Sequence, residues 1–227
     1  MGKKLAIGGI GIIALLVGAA VVFFLARPSA PDAFELETTA EDETNETESA
    51  EPVDIEGAWT IADGSEAGYR VVEDFIGGIQ DFEAVGRGSD IEGSITIEGS
   101  SITEASFEIE IATLDSRDAN RNMSFQNIMN VDEYPTATFV LTEPIELGET
   151  PAPNSPVSTT ATGDLTLRGV TNNTPVTIDA QLTGGQIEIV GSIEVLFSDY
   201  NIDNPSVERI IAVRDDGLVE FQLFLAR

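Results

Sequence analysis

From residue 57 to the C-terminus the chain alternates apolar and polar residues with a period of two, the pattern of strands that bury one face. Phe107, Ile109 and Ile111 share a side opposite Ser106, Glu108 and Glu110, while Val176, Ile178, Ala180 and Leu182 oppose Thr177, Asp179 and Gln181. Ile187, Ile189, Ile193, Val195 and Phe197 line one side against Glu188, Ser192 and Glu194, and Val219, Phe221, Leu223 and Leu225 oppose Glu220 and Gln222. Turn residues such as Thr183-Gly184-Gly185 and Asp215-Asp216-Gly217 separate the runs, as antiparallel neighbours require. About eight such strands, apolar inside and acidic outside, predict an all-β fold closed into an eight-stranded antiparallel β-barrel, because closure removes the long apolar edges. At that strand number the interior either fills with side chains or holds one small ligand.

Two segments interrupt the alternation. One covers residues 74–82. The other covers 117–130, where Met123, Phe125, Ile128 and Met129 predict one side of a short helix.

Two short runs are more specific. In Tyr-Pro-Thr-Ala-Thr-Phe at 134–139, Pro135 opens a strand rather than sitting inside one, so Ala137, Phe139 and Leu141 form the inward row. In Gly-Asp-Leu-Thr-Leu-Arg-Gly-Val-Thr at 163–171, Leu165 and Leu167 face one way, Asp164, Thr166 and Arg168 face the other, and Gly169 supplies the turn. Together these runs resemble the YceI-like polyisoprenoid-binding family. The resemblance extends from Trp59 to the C-terminus and takes in Ile-Glu-Gly-Ser-Ile at 91–95, Ala-Thr-Leu-Asp-Ser at 112–116 and Phe-Ser-Asp-Tyr-Asn-Ile at 197–202. Arg168 stands where family members often carry His, Arg121-Asn122 where they carry Arg-Asp, and Asn201 where they carry Gly. The resemblance implies a lipocalin-like barrel with a long isoprenoid chain threaded through it.

Composition narrows the chemistry. The absence of cysteine removes disulfides, thiolate nucleophiles and Cys-based zinc sites. Histidine is absent too, and with it the commonest general base and metal ligand. These absences argue against an enzyme. A formal net charge of −29 makes the chain repel nucleic acid, whose binding depends on Lys and Arg neutralising phosphates. Lysine stops at Lys4, which leaves arginine as the cation of the folded part. Asp199, Asn201 and Asp203 have the alternate spacing of a calcium loop, but Gly at the sixth position and Glu at the twelfth are missing, so a solvated turn is the simpler reading. No metal site is expected, and no cofactor beyond a bound isoprenoid lipid.

The first 27 residues read as a membrane anchor. From Leu5 through Ala26 no charged residue occurs, and about 22 helical residues span roughly 33 Å, enough for a hydrocarbon core of about 30 Å. Lys3 and Lys4 precede the run and acidic residues follow it, which places the N-terminus in the cytoplasm and the rest of this single-pass chain outside the cytoplasmic membrane, periplasmic or at the cell surface. The competing reading is a cleaved signal peptide, for which the apolar run is long. In residues 28–56, Pro28 and Pro31 break the helix and the run Glu-Asp-Glu-Thr-Asn-Glu-Thr-Glu at 41–48 is acidic with no basic partner, which predicts a disordered linker. The barrel domain then occupies 57–227.

The expected function is non-catalytic binding, storage or transport of a polyprenyl phosphate or isoprenoid quinone. The alternative is a cell-envelope protein-interaction module that uses the barrel as scaffold. The candidate lipid-cavity lining is Phe107, Ile109, Met123, Phe125, Phe139, Leu165, Leu167, Phe197 and Tyr200, chosen by face and by nearness to the helical insertion. Core packing would produce the same alternation. Arg117, Arg121 and Arg168 are candidates for contacts to an anionic headgroup, with charge balance for neighbouring carboxylates as the competing role.

Overall fold

The computed structural model describes residues 30–37, 54–75, 79–148, 151–206 and 211–227. Within the compact unit Asp32–Arg227 the strands are β1 (Gly57–Ile61), β2 (Glu66–Phe75), β3 (Ile79–Gly88), β4 (Ile91–Glu98), β5 (Ser101–Glu110), β6 (Thr136–Leu141), β7 (Ile145–Glu146), β8 (Val157–Leu167), β9 (Val170–Thr183), β10 (Gln186–Leu196) and β11 (Ile211–Ala226). Hydrogen bonding orders them β1-β4-β5-β6-β8-β9-β10-β11, and β11 returns to β1, so eight antiparallel strands close a barrel. From β11 the sheet also continues into β2 and β3, while β7 pairs with β5.

The last strand therefore serves two neighbours. It pairs with β2 as far as Gln222↔Glu66 and with β1 from Leu225↔Ile61. Phe224 lies between these ladders and would have its backbone polar groups orphaned there. Ser65, 3% exposed, resolves this. The Phe224 N–H donates to Ser65 Oγ at 2.9 Å, the Ala62 N–H donates to the Phe224 carbonyl at 2.7 Å, and the Ser65 hydroxyl donates to the Ala62 carbonyl at 2.9 Å.

The inward rows follow the period-two pattern. Ile95, Leu165, Ile193 and Leu225 are almost fully buried. Two local readings change. Asp215-Asp216-Gly217, expected as a turn, lies inside β11, where the register against β2 shifts between Val213 and Gly217 as a bulge absorbs the extra residues. Of the interrupted segment, Asp74 and Phe75 end β2 and residues 79–82 begin β3, with Phe75 and Phe82 edge-to-face at 5.6 Å. The expected helix is present as α1 (Ala119–Met129). Asp118 caps it by accepting from the Asn120 and Arg121 N–H groups, and left-handed Asn130 ends it.

Two acidic residues on the outward rows are not solvated. Glu188 is 0% exposed and Glu220 3%. A strap formed by residues 32–37, part of the expected linker, crosses the outer face above them. Glu188 accepts from the Glu37 N–H at 2.9 Å and from the Gln181 and Gln222 side-chain amides at 2.7 Å each. The two amides also reach the strap carbonyls of Glu37 and Glu35. Arg87 donates to the Asp32 carbonyl and lies over the Phe34 ring, 3.7 Å from its centroid. Beneath, Glu220 is held by Arg70 at 2.9 Å and Arg87 at 2.7 Å, and Arg70 also reaches Glu83 at 2.6 Å. Burial opposes the Arg70 charge, but the Glu220 hydrogen bonds and the Glu220 and Glu83 carboxylates outweigh it and hold the guanidinium above its ordinary pKa.

The apolar run from Leu5 to Ala26 and residues 38–53 of the linker lie outside the described residues. Among the described residues no helix is long and apolar enough to cross a membrane.

Ser65→Ala leaves the part-buried Phe224 N–H without its acceptor and is expected to cost about 1–2 kcal/mol in denaturant unfolding. Glu188→Ala strips three donors of one acceptor, and an unfolding loss of about 3 kcal/mol is expected. If Glu188 contributed only surface charge, its replacement would change stability by less than about 0.5 kcal/mol.

Candidate functional site

Inside the barrel the inward rows enclose an almost wholly apolar cavity of about 110 Å³. Its walls come from nearly every strand of the ring, including Ile91 and Ile95 of β4, Phe107 and Ile109 of β5, Phe139 of β6, Leu165 of β8, Ile178 of β9, Ile193 of β10 and Phe221 of β11. Two devices keep it open. First, four inward positions carry alanine, Ala67, Ala105, Ala137 and Ala161, where larger residues would project into the lumen. Second, the three lining phenylalanines each lie against a glycine on a neighbouring strand. A Cβ built on Gly93 would sit 2.5 Å from the Phe107 ring, one on Gly163 2.3 Å from Phe139, and one on Gly191 2.6 Å from Phe221. Without a Cβ opposite them the rings fold onto the wall, the arrangement by which an aromatic covers a strand glycine.

A second apolar chamber of about 60 Å³ follows at the end formed by Ile55, Leu147, Pro151 and Val157. It shares Ile95, Ile102, Ile178 and Ile189 with the first. At this end Trp59 Nε1 donates to the Ile55 carbonyl at 2.8 Å, and Arg227 covers the indole at 4.7 Å.

The opposite end carries α1, the turn between β8 and β9, and the 3-10 turn Phe197–Tyr200. Here the candidate lining separates. Phe107, Ile109, Phe139 and Leu165 line the cavity together. Leu167, Phe197 and Tyr200 are buried beyond it as packing that closes this end. Phe125 stacks on Tyr69 with ring centroids 4.4 Å apart. Met123 is 59% exposed, because two residues along a helix turn it about 200° from Phe125, whereas Met129 falls on the buried side. The alanines and glycines that open the lumen were not among the candidates. Their signal is a small residue at an inward position, which strand parity alone does not reveal.

The three arginines do not converge on one point. Arg121 bonds Glu73 at 3.3 Å and lies 5.9 Å from the Phe82 ring centroid. Arg168, in a left-handed turn (φ 49°), donates to the Asn201 carbonyl, and its Nε finds no hydrogen-bond partner among the described residues. Arg117 is exposed with φ 61°. Next to it, the Asn122 amide and the Arg117 N–H hold the Asp115 carboxyl below its ordinary pKa. At 199–201 the Asp199 and Asn201 backbone carbonyls accept from the Asn172 and Arg168 side chains. Gly169 takes φ 74° and lets the Tyr134 ring settle on the turn, joining the two signature runs.

The comparisons with known proteins agree with this architecture. The family model described as the YceI-like domain matches residues 33–225, and so includes most of the strap. A polyisoprenoid binding domain from Saccharophagus degradans implicated in plant cell wall breakdown superposes with a TM-score of 0.59 at 17% identity, over 75% of this chain and 98% of that one. BcnA from Burkholderia cenocepacia does so with a TM-score of 0.52 at 19% identity, over 70% of this chain and 95% of that one. No curated protein matches the chain.

Tyr69 supplies a titration probe of the closed end. Burial is the main cause that pushes its hydroxyl up to about 12, with Arg121 and a Ser116 hydrogen bond acting the other way. The folded chain thus keeps a proton that the unfolded chain releases near pH 10. Stability should be full below about pH 10 and fall as pH rises from about 10 to 12. Tyr69→Phe is expected to remove that slope and the latest phenolate signal in a near-ultraviolet titration; an unchanged profile would mean that Tyr69 is solvated.

Proposed function

The chain belongs to the YceI-like domain family, and from that premise we propose that its barrel binds a long-chain isoprenoid lipid, a polyprenyl phosphate or an isoprenoid quinone, and stores or carries it without chemical change. YceI-like family members are binding proteins. One observation carries the reading, the apolar lumen of about 110 Å³ held open by glycines opposite phenylalanines. An apolar chain in such a lumen gains roughly 25 cal/mol for each Å² it removes from water and needs few directed polar contacts. The N-terminal apolar run supports placing this activity at the outer face of the cytoplasmic membrane, where such lipids reside.

The test is lipid extraction and native-state mass spectrometry of the protein purified from its own membrane. A co-purifying isoprenoid is expected for the wild type. Gly191→Ala puts a Cβ where the Phe221 ring lies and leaves the backbone at ease, so the ring turns inward and the retained lipid should fall at least about tenfold while the chain stays folded. Absence of any isoprenoid from the wild type, with the lumen filled by side chains, would defeat the reading.

A further inference from the structure

The lumen is divided. The chamber of about 110 Å³ and the chamber of about 60 Å³ meet at four isoleucines that line both, Ile95, Ile102, Ile178 and Ile189. Ile95 and Ile102 come from β4 and β5, Ile178 and Ile189 from β9 and β10. In the ring order β1-β4-β5-β6-β8-β9-β10-β11 these two strand pairs stand diametrically opposite, so the four side chains face the lumen from opposite walls where the two chambers adjoin. All four are buried, between 2% and 8% exposed. They are β-branched and stiff at χ1, so they have few rotamers by which to swing aside. The surroundings leave little slack, since a Cβ at Gly191, the partner of Ile178 across the strands, would already lie 3.1 Å from an Ile178 methyl.

We propose that these four isoleucines form a waist that sets how far an apolar chain penetrates the barrel, and hence the chain length the protein selects. The proposal rests on the lipid-binding reading. A short chain lies on one side of the waist and does not sense it. A long chain gains the contacts of the second chamber only by passing between the four side chains. Each methylene that gets through adds about fourfold in affinity, so a small change in waist width becomes a large change in length preference.

The experiment is a competition on the purified full-length chain between a short prenol, farnesol, and a long one, solanesol, with the bound fraction of each read by native-state mass spectrometry. Ile178→Val with Ile189→Val removes two methyl groups from the waist and disturbs the fold little. It is expected to raise the solanesol-to-farnesol ratio at least about tenfold over wild type. Ile102→Phe narrows the waist, and should lower the ratio while farnesol binding persists. Circular dichroism confirms that each variant is folded. A ratio unchanged in the widened variant overturns the waist and leaves lipid binding standing. If the wild type holds neither prenol, the binding reading fails and the waist with it.

Discussion

Everything inside this barrel depends on a change of partner at one residue. A sheet closes only if its last strand finds its first, and β11 must leave β2 to do so. Phe224 stands at that step with neither ladder to serve it, and the Ser65 hydroxyl with the Ala62 N–H completes its hydrogen bonds. The contact that follows is short, Ile61↔Leu225 and Thr60↔Ala226, yet it separates an inside from an outside. Leu225, at the closing pair, is 0% exposed. With a ring in place, strand parity becomes radial position, and an apolar row becomes the lining of a lumen.

The outside carries a different problem. In a chain of net charge −29 outward carboxylates are solvated by default, but Glu188 and Glu220 are sealed. Burying a carboxylate is tolerable only where donors replace its water. Glu188 obtains three, one from the strap itself. Glu220 obtains two guanidinium groups, whose planar forks suit a carboxylate better than an ammonium would. The strap is gripped chiefly by its main chain, at Asp32, Glu35 and Glu37, and by Phe34 on Arg87. Its acidic side chains therefore do not have to enter the wall. The acidic composition of residues 32–37 is consistent with such docking because the recognised groups are those every residue possesses.

This explains what the sequence disclosed and what it hid. The inward rows of β5, β6, β8 and β11 were legible because one buried face imposes a period of two, and the helix at 119–129 because its apolar residues break that period. The interruption at 74–82 was readable only as an interruption, since the register of β2 against β3 shifts between Glu73 and Phe75 and the period of two is lost there. Asp215-Asp216-Gly217 has turn composition, and only the register against β2 tells a bulge from a turn. Among the cavity-lining residues, Phe107, Ile109, Phe139 and Leu165 followed from parity. Met123 did not share the cavity because helical position, unlike strand position, changes by 100° per residue. Nor does composition tell that residues 32–37 dock, for the groups that hold them belong to Gln181, Glu188, Gln222 and Arg87, far along the chain.

Parity also cannot say whether an inward side chain fills a lumen or lies flat against it. That depends on what faces it across the strands. Gly93 is the register partner of Phe107, and Gly191 of Phe221. In each pair the ring occupies the volume of the missing Cβ, so the glycine draws the aromatic out of the lumen. The alternative packing, with rings turned inward, would fill the space with the same atoms. A void of about 110 Å³ costs on the order of 2–3 kcal/mol, at roughly 24 cal/mol per Å³. The sheet carries that penalty while its phenylalanines lie against glycines rather than across the lumen. An apolar occupant would offset it, and would stabilise the fold in proportion to its own binding. Contacts that the wall does not make with its own phenylalanines would then be made by that occupant.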